Sequence, residues 1–215
     1  SVQFDSSIGD SSTIQFSGSA DLATFAQSVG ASTILGGAGA DSLIFSSAVS
    51  GATVDAGADA DRVIFASTMS GRISGIYTTA EYVSFGSNAS VQFDSSIGDS
   101  STIQFSGSAD LATFAQSVGA STILGGAGAD SLIFSSAVSG ATVDAGADAD
   151  RVIFASTMSG RISGIYTTAE YVSFGSNASV QFDSSIGDSS TIQFSGSADL
   201  ATFAQSVGAS TILGG

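Results

Sequence analysis

One interval, that from Phe25 to Phe45, recurs through this chain and limits its folding options more than any single motif does. From Thr13 the chain reads TIQFSGSADLATFAQSVGAS, then TILGGAGADSLIFSSAVSGA from Thr33, then TVDAGADADRVIFASTMSGR from Thr53. A fourth unit, ISGIYTTAEYVSFGSNAS from Ile73, is shorter by two residues. Phe25, Phe45, Phe65 and Phe85 keep this 20-residue interval, and so do the acids Asp21, Asp41, Asp61 and Glu81. Val29, Val49 and Met69 follow the first three phenylalanines by four places. A fixed period of this kind marks a stack of one repeated unit in which each turn touches only its neighbours.

Within each unit the apolar residues alternate. In Val2-Gln3-Phe4, Leu43-Ile44-Phe45, Val63-Ile64-Phe65 and Val83-Ser84-Phe85, the outer two side chains share one face of an extended strand. Those residues are expected inside, with the phenylalanines stacked in a column and Leu35, Ile44 and Ile64 facing outward. A second strand per turn starts at Thr13, Thr33 or Thr53, with Ile14, Ile34 and Val54 inward. No stretch keeps a 3.6-residue apolar pattern, so helix is not expected. Proline is absent, as suits a chain whose backbone N–H groups nearly all join a ladder. The expected class is all-β: a parallel, two-sided β-solenoid (a β-roll) with about 20 residues per turn.

A longer period sits above this one. Residues 1–89 recur unchanged as residues 90–178, and residues 179–215 repeat the first 37. The expected organisation is repeat 1 over 1–89, repeat 2 over 90–178 and a partial repeat 3 over 179–215, in one continuous solenoid. Identity without drift, and an end at Gly214-Gly215 inside a third glycine loop, read as a window from a longer array. Phe16, Gly36, Ala56 and Ile76 mark one strand series, and Phe25, Phe45, Phe65 and Phe85 mark the other. From Phe85 to Phe93 is only eight residues, room for one corner and a strand. That count makes about 4.5 turns per 89-residue repeat and puts Phe45 and its copy Phe134 on opposite sheets. The competing count treats the end of each repeat, 61–89 in the first, as one long turn and stacks Phe45 and Phe134 on the same sheet.

The loop before the strand at Leu43 carries the most specific local pattern. Gly36-Gly37-Ala38-Gly39-Ala40-Asp41-Ser42-Leu43-Ile44 fits G-G-x-G-x-D-x-U-x, with U a large aliphatic residue, at every fixed position. Residues 125–133 repeat it. In this it resembles the calcium-binding nonapeptides of RTX proteins, in which each nonapeptide forms half a turn of a parallel β-roll. In the next turn the match weakens, since Ala56 and Asp59 replace the first and third glycines. The resemblance implies a calcium site between loops 36–41 and 56–61. Asp41 and Asp61 would be its carboxylate ligands, Gly36, Gly37 and Gly39 would offer carbonyls, and Asp59 is a possible further ligand. In the second repeat the corresponding residues are Asp130, Asp150, Asp148, Gly125, Gly126 and Gly128.

Elementary electrostatics points the same way. Strands in a stack lie ~4.8 Å apart, so acids repeating at every turn form a column of like charges at that spacing. Each such pair costs on the order of 1 kcal/mol even in water. Arg62 cannot offset the column; splaying outward or a divalent cation would. A hard cation takes oxygen ligands, which carboxylates and carbonyls supply.

Composition narrows the function classes. The net charge is −15, with 19 acids against four arginines and no lysine. That balance argues against nucleic acid, whose phosphates need basic partners. Cysteine and histidine are absent as well, which removes disulfides and the usual activators of a nucleophile, so an enzyme is not expected. No apolar run approaches the ~18 residues that would span a bilayer, so membrane insertion is not expected. Asn88-Ala89-Ser90 matches a glycosylation sequon, a three-residue pattern that recurs by chance. The function expected is an extracellular structural repeat protein, secreted or on the cell surface, forming a calcium-stabilised filament, sheath or surface layer. Its partners would be calcium ions and further copies, associating end to end and laterally. The alternatives are the calcium-binding stalk of a large secreted adhesin, or the RTX segment of a secreted toxin or hydrolase.

Overall fold

The chain folds as the alternation directs. The computed structural model describes residues 1–76, 80–165 and 170–215. Two parallel 11-stranded sheets face each other, and successive strands alternate between them, so each circuit of the chain adds one strand to each sheet. The first sheet begins Val2–Phe4, Leu22–Phe25, Ser42–Phe45, Arg62–Phe65, Tyr82–Phe85. The second begins Thr13–Gln15, Thr33–Leu35, Val49–Asp55, Met69–Ser74, Ala89–Phe93. Most partners in the first sheet keep the sequence interval, as in Phe25↔Phe45 and Phe45↔Phe65, while Phe4↔Phe25 spans one residue more. At ~4.8 Å per strand, each sheet extends about 50 Å along the stack.

Inward and outward positions fall where period two puts them. Leu43, Phe45, Val63, Phe65, Val83 and Phe85 are buried, as are Ile34 and Val54 on the facing sheet. Val29, Val49 and Met69 are buried at the corner after the phenylalanines. Ile44 and Ile64 face outward as neighbours on the first sheet. Leu35 also faces outward, but from the second sheet, so it does not extend their patch. Its copy Leu124 is the one that lies on the first sheet.

The phenylalanine column is longer than the four residues its strict interval marked. Phe4, Phe25, Phe45, Phe65, Phe85 and Phe105 form one stack, with successive ring centroids 4.8, 4.6, 4.8, 5.2 and 4.8 Å apart. Planes nearly parallel at the strand spacing are what an in-register parallel sheet imposes on identical inward residues. Phe93 stands edge-on to Phe85 at 6.3 Å and starts the next stack on the opposite sheet. That stack continues through Phe114, Phe134, Phe154, Phe174 and Phe194. Phe182, edge-on to Phe174, hands the series back to the first sheet.

The half-turn count therefore holds. Phe45 lies on the first sheet and Phe134 on the second, and Phe93 sits across from Phe85. Each 89-residue repeat advances the stack by 4.5 turns, so every surface feature returns on the opposite face. One circuit is a residue short: Thr53 pairs with Arg72 through a register shift at Ser50/Ala52, where Gly71 pairs with Ala52 at φ +149°. A Cβ at Gly71 would overlap the Ala52 carbonyl.

Candidate functional site

Of the acids at the 20-residue interval, all but the half-buried Asp21 are buried at one edge of the solenoid. Asp41, Asp61 and Glu81 are 2%, 3% and 2% exposed, although carboxylates in a polar loop ordinarily face water. Each reaches back one turn to a backbone donor. The Asp21 N–H donates to Asp41 Oδ1 at 2.7 Å, the Asp41 N–H to Asp61 Oδ1 at 2.8 Å, and the Asp61 N–H to Glu81 Oε2 at 2.7 Å. Serines continue the ladder: Glu81 N–H donates to Ser101 Oγ, and Ser101 N–H to Ser121 Oγ, both at 3.2 Å. At these turns the loop backbone swings away from regular pairing, and a side-chain oxygen supplies the acceptor that a buried N–H requires.

The second repeat builds the same column at the opposite edge. Ala89 N–H donates to Asp110 Oδ1, Asp110 N–H to Asp130, Asp130 N–H to Asp150, and Asp150 N–H to Glu170. The edges alternate because loop 36–41 leads from the second sheet to the first, whereas loop 125–130 leads from the first to the second.

The second carboxylate oxygens separate the loops into two kinds. Asp21 Oδ2 accepts the Gly18 N–H at 2.9 Å and Asp110 Oδ2 the Gly107 N–H at 3.0 Å. Among the described residues, Asp41, Asp61, Asp130 and Asp150 each keep a buried Oδ2 with no hydrogen-bond partner. These four belong to the loops that carry the nonapeptide pattern and its weaker neighbour. A buried carboxylate oxygen without a donor or cation is strongly disfavoured. Burial, the largest influence, pushes the carboxyl of Asp61 up to about 7 and that of Asp150 to about 8, reinforced by the neighbouring carboxylates. Asp130 is likewise raised to about 7, and Asp41 is raised for the same reason.

The glycines supply room and backbone shape beside these oxygens. A Cβ at Gly36 would overlap the Ala56 carbonyl and stand 3.1 Å from Asp41 Oδ2; at Gly125 it would meet Ala145 and Asp130 in the same way. Gly37 and Gly39 hold φ of +104° and +93°, and Gly126 and Gly128 hold +101° and +100°. Asp59 and Asp148, standing where the third glycine would be, adopt the same left-handed region at φ +78°. Aspartate enters that region more readily than most residues. Asp59 Oδ2 accepts the Gly39 N–H at 3.1 Å, and Asp148 Oδ2 the Gly128 N–H at 3.2 Å. The Gly37 carbonyl accepts the Ala58 N–H at 2.9 Å.

The residues named from the nonapeptide pattern therefore come together in stacked loops, but much of their hydrogen-bonding capacity serves the solenoid. Among the described residues no group of three or more His, Cys, Asp or Glu side chains is arranged to hold a metal. A cation here would be held by two carboxylates and backbone carbonyls, a donor set suited to a hard ion. The serine continuation at Ser101 and Ser121 escaped the sequence reading. Its signal was present, since both keep the 20-residue interval from Glu81.

Fold and edges together define a parallel β-solenoid repeat protein with buried carboxylate ladders. Comparison with protein-family models, with curated proteins and with solved structures found no match to this chain. The likeness to RTX nonapeptides rests on residues 36–44 and 125–133.

Proposed function

We propose that this chain is an extracellular structural repeat protein whose solenoid builds a filament, sheath or surface layer, with calcium holding the edge loops together. One ion would sit between loops 36–41 and 56–61, and its counterpart between 125–130 and 145–150. The observation that carries the reading is the set of four buried aspartate oxygens that have no hydrogen-bond partner among the described residues, two on stacked turns at each edge. Two such oxygens on adjacent turns need a positive charge or protons, and a divalent ion satisfies both at once. A continuous stack of two 11-stranded sheets suits load-bearing or lattice-forming work, and a chain without His, Cys or Lys has little to offer catalysis.

Far-UV circular dichroism in chelator and in calcium tests the proposal, with electron microscopy of the same samples. Strand content and thermal stability should rise with calcium, and elongated particles should form. A chain that folds equally well and melts at the same temperature in chelator would remove calcium from the account.

A further inference from the structure

The broad faces of the solenoid carry a surface that its edges do not. The strands Leu22–Phe25, Ser42–Phe45, Arg62–Phe65 and Tyr82–Phe85 lie side by side and contain no acid, in a chain with 19 of them. Their outward residues include Thr24, Ile44, Ile64 and Ser84 in register. Leu22, at the start of the first strand, is 44% exposed. The one outward charge is Arg62, whose guanidinium lies 5.6 Å from the Tyr82 ring centroid. Because the repeat advances by 4.5 turns, the same patch returns on the opposite face as Leu111, Thr113, Ile133, Ile153 and Arg151 over Tyr171.

Charge and area together select the occupant. Between two molecules of charge −15, contact through an edge would bring exposed acids such as Asp10, Asp59, Asp99 and Asp148 together, whereas contact through these faces keeps them apart. One four-strand patch, about 19 Å by 13 Å from strand spacing and rise, offers only about 250 Å². A standard interface uses about 800 Å² per partner. Eleven strands in parallel offer about 700 Å² by the same spacings, and beyond the acid-free strands the first face adds Asp144 and Arg161, so a whole face laid on another face approaches what a stable contact needs with few charges in it.

We infer that the two sheet faces around Ile44–Ile64 and Ile133–Ile153 are equivalent docking surfaces for further copies of this chain, one on each side. Two equivalent opposed surfaces cannot close into a dimer. Each added molecule presents a fresh copy of the same face, so assembly continues as a layered array. The inference rests on the structural function proposed above and assigns the contact that would build it.

The test uses sedimentation velocity over a concentration series on the 215-residue chain in calcium. Four proteins are compared: wild type, Ile44→Thr/Ile64→Thr, Ile133→Thr/Ile153→Thr, and the fourfold variant. Threonine keeps the β-branched shape, and all four positions point outward, so circular dichroism should be unchanged. Association along the stack axis is common to all four and cancels in the comparison. Wild type should form open-ended species, each single-face variant should stop at face-to-face pairs, and the fourfold variant should lose that pairing. Single-face variants that match wild type, or a fourfold variant that does, would overturn the inference. Calcium-dependent folding combined with such a result would remove the face contact alone and leave the proposed function standing.

Discussion

Replacing Asp41, Asp61, Asp130 and Asp150 with asparagine separates the two jobs these side chains do. The amide keeps Oδ1, so each backbone donor of the preceding turn retains its acceptor. It replaces the unpartnered Oδ2 with an uncharged group that offers a cation nothing. A buried polar group left unsatisfied costs roughly 1–3 kcal/mol and a charged one more, so a neutral amide in the same place costs less. Without calcium at pH 8, each substitution should therefore stabilise the solenoid by about 1 kcal/mol. For a chain of this size that corresponds to about 2–4 °C per substitution, less where stacked neighbours such as Asp41 and Asp61 share one effect. The assay is thermal melting followed by circular dichroism, in chelator and in calcium. In chelator the fourfold variant should melt several degrees above wild type, and added calcium should no longer shift its midpoint. A variant that melts below wild type in chelator would show that the second oxygens are satisfied in the native protein. An undiminished calcium shift would place the ion elsewhere.

Further outcomes follow from the same contacts. In chelator, raised carboxyls favour the folded state when protonated, so their contribution to wild-type stability should be full near pH 4 and be lost as pH rises through about 7 to 8, where Asp61, Asp130 and Asp150 ionise; a melting midpoint that rises over that range would contradict it. Phe65→Ala empties a fully buried position between two stacked rings and should cost about 3–5 kcal/mol, read as a lowered denaturant midpoint, whereas Phe65→Leu should cost far less. Gly36→Ala places a methyl against the Ala56 carbonyl and beside Asp41 Oδ2, and should weaken both fold and calcium response. Ser101→Ala removes the acceptor of the Glu81 N–H and should cost about 1–3 kcal/mol, with rescue by threonine.

The architecture was legible because its causes are periodic. Alternation within Leu43-Ile44-Phe45 sets inside against outside, and the eight-residue step from Phe85 to Phe93 leaves room for a single corner. The extra members of the phenylalanine stack were harder to see. Phe105 keeps the 20-residue interval from Phe85 but belongs to the next repeat, and Phe4 stands one place too early for the interval to Phe25. The direction of the carboxylates was not legible. Spacing says that Asp41 and Asp61 stack, but not whether they splay into water, grip a cation or turn in to a backbone donor. That choice depends on which loop N–H groups lose their ladder partners, a property of corner geometry that no residue pattern records. Asp59 is intermediate: its place where the nonapeptide frame has a glycine was legible, while its bond to the Gly39 N–H emerged only from the stacking.

The most direct test of calcium at the edges is a crystal of the chain grown with the metal and measured for its anomalous scattering. One peak is expected beside Oδ2 of Asp41 and Asp61 and another beside Oδ2 of Asp130 and Asp150. They should lie on opposite edges of the solenoid, separated along its axis by about 22 Å, the rise of 4.5 turns at ~4.8 Å each. Loops without peaks would contradict the calcium proposal, and two peaks on the same edge would contradict the alternation of faces.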